Sequence, residues 1–81
     1  MLIKIIDRYF GVLNTPAVCT PDTPTEDSHL VWMLKEILFN PLQSTTKKHR
    51  WLGYVQGVMV MKGYLTVQEE RDNTREILNG D

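Results

Sequence analysis

The residues of this chain that could do chemistry are few, and their spacing argues against most kinds of it. His29, His49 and Cys19 stand at no metal-ligand spacing to one another, and neither an HxxxH nor a CxxC pair occurs, so no metal site and no cofactor are expected. Cys19 lies between Pro16 and Pro21 with no adjacent histidine, and the serines lack the strand-turn-helix setting of an activated nucleophile. Glu26 and Glu69 sit at helix starts, where a carboxylate serves as a cap. Gly53 and Gly57 fall inside a helical run rather than before one, which excludes a glycine-rich phosphate cradle. No catalytic residue is assigned, and the chain is expected to bind rather than to catalyse.

Binding chemistry is better supplied. Lys47, Lys48, His49 and Arg50 follow one another at what reads as the first turn of a helix, where the macrodipole is already positive. Each cation there is unfavourable by a few tenths of a kcal/mol, roughly. The compensation is either a carboxylate from Glu69, Glu70 or Asp72, simple solvation, or an acidic partner or phosphate group. Arg71 and Arg75, one turn apart on the last helix, repel unless a partner lies between them. Arg71 falls in the middle of an inward stripe made by Val67, Thr74 and Leu78, and its guanidinium could lie among Trp51, Tyr54 and Gln56 and fork to a carboxylate or phosphate. Trp32 and Phe39, seven apart, lie in line on a face they share with His29 and Glu36. They pack within the chain or form an exposed aromatic stripe suited to an interface. The candidate binding set is therefore Lys47, Lys48, Arg50, Tyr54, Arg71 and Arg75, with Trp32 and Phe39 as interface aromatics.

The elements that position these residues are helical. Leu2, Ile5, Ile6, Tyr9, Phe10 and Leu13 recur with the helical period, with a strand over residues 1–6 as the competing reading because the run is short and isoleucine-rich. A loop with Pro16 and Pro21 follows. Thr23-Pro24-Thr25-Glu26 then has the form of a capping box with proline at the first helical position. The second helix should run from there to Asn40, a residue that tolerates the left-handed conformation, with Pro41 to stop it. Its core stripe is Leu30, Met33, Leu34, Ile37 and Leu38.

The stretch Ser44–Gly63 reads as the central helix, large and apolar along Trp51, Leu52, Val55, Val58 and Met59, small along Gly53, Gly57 and Val60. The two glycines are expected to let a neighbouring backbone come close. Gly63 ends this helix, and Thr66-Val67-Gln68-Glu69 opens a fourth with a second capping box, closed by Asn79-Gly80. A helix, a short turn and another helix superficially match a DNA-binding pair, but such turns join most small antiparallel bundles.

The expected architecture is one all-α domain spanning residues 1–81, a small bundle of three to four helices. With 81 residues and a net charge of −1, the chain has no global attraction for nucleic acid or anionic membrane, so any basic surface is local. A single cysteine fits a reducing, cytoplasmic setting. The charged residues inside each apolar run leave no membrane span.

The residues His49-Arg50-Trp51-Leu52-Gly53-Tyr54-Val55-Gln56-Gly57, then Gly63-Tyr64-Leu65-Thr66-Val67 and Glu69-Glu70-Arg71-Asp72-Asn73-Thr74-Arg75, resemble a group of small accessory proteins of tailed bacteriophages and prophages. In these a tryptophan-glycine helix is followed by a glycine turn and an arginine-rich final helix. The resemblance covers the second half of the chain and brings no catalytic residues. It implies stoichiometric binding to a host protein in the bacterial cytoplasm, including inhibition of restriction or CRISPR defence. The residues themselves leave two other readings open: a nucleic-acid or phosphate-ligand binder using the arginines, and an oligomeric structural component, for example a homodimer, built on the two-faced helices.

Overall fold

A computed structural model describes the backbone over residues 2–78 and the side chains over residues 2–72. Four helices follow one another, α1 (Leu2–Leu13), α2 (Asp27–Phe39), α3 (Thr45–Met61) and α4 (Val67–Leu78), and the described residues contain no strand. The N-terminal segment is thus a helix and not a strand. Its periodic residues Ile5, Ile6, Tyr9 and Leu13 are buried, with Leu2 and Phe10 packed at the edge of the same core.

The central element is α2, which packs on α1 and on α3, rather than α3 as the sequence suggested. Leu30, Met33, Leu34 and Ile37 are buried as expected, and Val31 and His29 join them while Leu38 stays half-buried. From α3, Leu52, Val55 and Met59 complete the core and Leu65 closes it after the turn. The shortest dimension of the fold is 18 Å, less than two helix diameters. Large apolar side chains such as Phe39 and Leu42, at the end of α2, remain exposed.

The helix ends are set by local chemistry, and some differ from expectation. Asn14 adopts a positive φ of 44° and donates its N–H to the Phe10 carbonyl, stopping α1. The expected capping box at Thr23–Glu26 does not start α2. These residues form successive turns, and Glu26 becomes the N-cap with an extended backbone and no side-chain cap bond. The Pro24 carbonyl, which would accept from residue 28 in a helix begun at Thr23, accepts the Tyr54 hydroxyl instead. Asn40 is extended rather than left-handed, as a residue before proline prefers, and its side chain accepts from the Leu42 N–H.

Ser44 caps α3 by accepting from the Lys47 N–H at 3.1 Å, and Thr66 does the same for α4 toward the Glu69 N–H. Gly63, at φ 80°, ends α3 with its N–H on the Val60 carbonyl and that of Tyr64 on Met59, the paired bonds of a glycine-terminated helix. The expected stop at Asn79-Gly80 lies outside the described residues.

The close approach expected at Gly53 and Gly57 is absent among the described residues: a β-carbon at either position would meet none of them within 4 Å. Both glycines therefore carry their propensity cost without a packing return. Gly53→Ala and Gly57→Ala should each raise stability by up to about 1 kcal/mol, read as an upward shift of the urea midpoint. A fall in the midpoint would mean that the open side of α3 is covered.

Candidate functional site

The loop between α1 and α2 is held against the helices by backbone and side-chain bonds that the sequence did not reveal. The Val18 N–H donates to the Ser28 carbonyl at 3.1 Å and the Thr20 N–H to His29 Nδ1 at 3.0 Å, while the Tyr54 hydroxyl reaches across from α3 to Pro24. Because Nδ1 accepts, the neutral imidazole carries its proton on Nε2. The loop so anchored becomes one wall of an open groove of about 510 Å³. Cys19, Pro21 and Pro24 form that wall, His29, Trp32 and Met33 of α2 the floor, and Trp51 and Tyr54 of α3 the opposite side.

Aromatic rings dominate this groove. His29 and Trp32 lie 5.4 Å apart between ring centroids and Trp32 and Trp51 5.8 Å apart, both pairs tilted in the offset range favoured by ring quadrupoles. Lys47 Nζ sits 5.0 Å from the centre of the Trp51 ring, a cation–π contact. At 100° per residue, Lys47, Arg50, Trp51 and Tyr54 fall within one sector of α3. Lys47, exposed, therefore stands beside the groove at Trp51, and Arg50 is exposed on the same sector of α3 without lining the groove. Glu36 shares the α2 face of Trp32 one turn on but does not line the groove.

The basic run is thus divided. Lys48 turns away from its neighbours, and its ammonium donates to the carbonyls of Ile37 and Asn40 at the end of α2. It satisfies orphan acceptors at the negative end of a helix dipole. Of the run that looked anomalous at the start of α3, Lys48 is compensated by the end of α2, and not by Glu69, Glu70 or Asp72.

Arg71 is exposed on α4 and borders a second groove of about 380 Å³ with Gln56, Gly57, Val60 and Val67. It does not lie among Trp51 and Tyr54. Nor does it sit within an inward stripe, since Val67 is 57% exposed and the buried residue of the described part of α4 is Glu70. The side chains of Thr74, Arg75 and Leu78 lie outside the described residues. Trp32 is packed against Trp51, while Phe39, 73% exposed, stands apart from it at the end of α2. The expected aromatic line is therefore split, with one ring in the groove and one on the surface.

A buried polar cluster also escaped the sequence reading. Glu70 accepts from the Tyr9 hydroxyl and from Arg8 at 2.6 Å, and Gln56 donates to the Tyr9 oxygen at 3.0 Å, joining α4, α1 and α3. Burial first, and then the bond to the Glu70 carboxylate, holds the Tyr9 phenol above its ordinary range. The available signal was Tyr9 itself, a hydroxyl in the middle of an apolar stripe that must find a partner when buried. At the surface, Asp27 accepts from Lys62 at 2.8 Å and from Tyr64. Its partial burial pushes the carboxyl upward, but the hydrogen bonds from Lys62 and Tyr64 outweigh that and hold it below its ordinary value.

No helix among the described residues is long and apolar enough to cross a membrane. No protein-family model, curated protein or solved structure matches the chain.

Proposed function

We propose that this chain is a small helical binding protein that engages a partner protein through the groove between α2, α3 and the loop before α2, and that it acts by occupancy rather than catalysis. The observation that carries the reading is the makeup of the groove. Trp32, Trp51 and Tyr54 gather with Met33 around an apolar floor, Lys47 stands over Trp51, and Arg50 is exposed on the same sector of α3. Tryptophan, tyrosine, methionine and arginine are the residues enriched where proteins bind one another.

The resemblance to phage accessory proteins supplies the setting: a host protein in the bacterial cytoplasm, bound and inhibited, with components of restriction or CRISPR defence as the leading targets. Nucleic-acid or phosphate binding through the arginines is the weaker reading, because Lys48 is spent on helix carbonyls and Arg71 borders a different groove.

Affinity capture from host lysate tests the proposal. The Lys47→Glu/Arg50→Glu variant should lose a partner protein that the wild type retains, with its melting temperature close to wild type. Lys48→Glu should instead lower the melting temperature, by an amount equivalent to about 1–2 kcal/mol. Unchanged capture by the double variant would sink the groove as the interface. Salt-sensitive retention on nucleic acid, abolished by Arg71→Ala, would transfer support to the second reading.

A further inference from the structure

We infer that His29 is an acid-sensitive catch on the loop wall of the groove: protonating its imidazole frees residues 20–23 and weakens the binding of a partner there, a consequence that rests on the protein-binding reading above. The wall has two fixed ends. At one the Val18 N–H donates to the Ser28 carbonyl, and at the other the Pro24 carbonyl accepts the Tyr54 hydroxyl. Between them, among the described residues, one bond ties the loop to α2, from the Thr20 N–H to His29 Nδ1 at 3.0 Å. The Thr23 N–H closes on the Thr20 carbonyl at 2.9 Å, so the turn that carries Pro21 along the groove is one piece.

The tie requires a free lone pair on Nδ1. A protonated imidazole donates from both nitrogens, so its Nδ1–H would meet the Thr20 N–H, donor against donor. His29 is 7% exposed, and burial penalises a charged ring. Release of the turn relieves both costs. No counter-ion offsets them, because the ion pairs among the described residues are Arg8–Glu70 and Lys62–Asp27. Asp27, two residues before His29, is engaged by Lys62 and Tyr64, and Glu26 before it is exposed. From the loop and from α3, the titratable groups that share the groove are Cys19 and Tyr54, and Tyr54 already donates to Pro24. The cation over the groove's rings, Lys47, gives no support to a second positive charge. Trp32, 5.4 Å from His29, attracts a cation, but both rings belong to α2 and keep their contact whether the turn is held or released. The held state therefore binds one proton fewer than the released state, and acidification from about pH 7.5 to about pH 5.5 shifts the population toward release.

Amide exchange of the full chain, read by NMR over that interval, compares two donors of the same loop. The protection factor of the Thr20 N–H should fall at least about fivefold, in step with titration of the His29 ring, while that of Val18, bonded to a carbonyl, holds. His29 and His49 are the two histidines, and His49 is exposed. His29→Asn, whose amide oxygen takes the place of Nδ1 and does not titrate, should keep Thr20 protected throughout, and His49→Asn should behave as wild type. Partner capture by the wild type should fall at least about fivefold across the same interval, and capture by His29→Asn should not. Thr20 protection that holds through the His29 titration overturns the inference, as does a loss that persists in His29→Asn, or capture that stays constant while Thr20 opens. If His29→Asn does not fold, the comparison of Thr20 with Val18 in the wild type decides alone. A wild type that captures nothing at either pH removes the protein-binding reading and leaves the catch to the amide measurement.

Discussion

Replacing Glu70 by alanine should lower the stability of the protein by about 2–3 kcal/mol, because it leaves the buried Tyr9 hydroxyl without its acceptor and Arg8 without its counter-ion. The Arg8 side chain is 36% exposed, so most of the loss comes from Tyr9 rather than from the ion pair. For a chain of this size the corresponding fall in Tm is about 10–20 °C. Glu70 is the buried side chain of the described part of α4, whose neighbour Val67 is largely exposed. The loss should therefore appear first as faster amide exchange along α4, before the α1–α2–α3 core opens. Glu70→Gln, whose amide oxygen still accepts from Tyr9, should recover part of the stability. Glu69→Ala, at an exposed neighbour, serves as the control, and a Glu70→Ala melting curve indistinguishable from it would refute the stabilising role of the Glu70–Tyr9–Arg8 cluster.

The same cluster sets an alkaline limit. The Tyr9 phenol is held above its ordinary value in the fold, so above pH ~10 the unfolded chain releases a proton that the native state keeps. Stability contributed by Tyr9 is fully present below that pH and falls as pH rises beyond it toward the folded value. Tyr64, raised by its hydrogen bond to Asp27 but exposed, acts in the same direction. Tyr9→Phe should flatten the alkaline decline more than Tyr64→Phe does.

How far the fold could be read beforehand follows from which forces were local. The period of Leu2 to Leu13, the cap at Ser44 and the glycine stop at Gly63 are short-range effects, and each is found where its residues place it. The start of α2 is three residues later than its capping box implies, with Glu26 and not Thr23 as N-cap, and the Pro24 carbonyl is engaged by Tyr54, thirty residues away, in competition with the helix. That competition cannot be seen from the loop alone. Gly53 and Gly57 invited a packing explanation because glycine is costly in helices, yet no described residue comes within 4 Å of where their β-carbons would stand.

The basic run is the instructive case for the site. Its charges were legible, but their separation into Lys48 at the end of α2 and Lys47 over Trp51 depends on how α2 and α3 pack. The groove itself joins residues from three segments and has no linear signature. Glu70 was weighed as a counter-charge for the basic run rather than as the partner that the buried hydroxyl of Tyr9 demanded.

Trp51→Ala should abolish measurable partner capture, a loss of at least about 2 kcal/mol or roughly thirtyfold in affinity. Trp51 is the ring that Trp32 packs against and that Lys47 covers, so its removal takes away a wall of the groove and the platform of a rim cation together. The ring is only half-buried, and the accompanying loss of stability should fall below the ~3–5 kcal/mol of a fully buried tryptophan. Trp51→Phe separates the two effects: it restores the apolar wall and most of the stability, and returns affinity to within about tenfold of wild type. Phe39→Ala provides the opposing arm. Phe39 and Leu42, 73% and 93% exposed, form an apolar corner at the end of α2, and trimming Phe39 should change neither Tm nor capture beyond about 0.5 kcal/mol. If Phe39→Ala released the partner and Trp51→Ala did not, the interface would lie at that corner. The aromatic groove would then serve only the packing of Trp32 against Trp51 between α2 and α3.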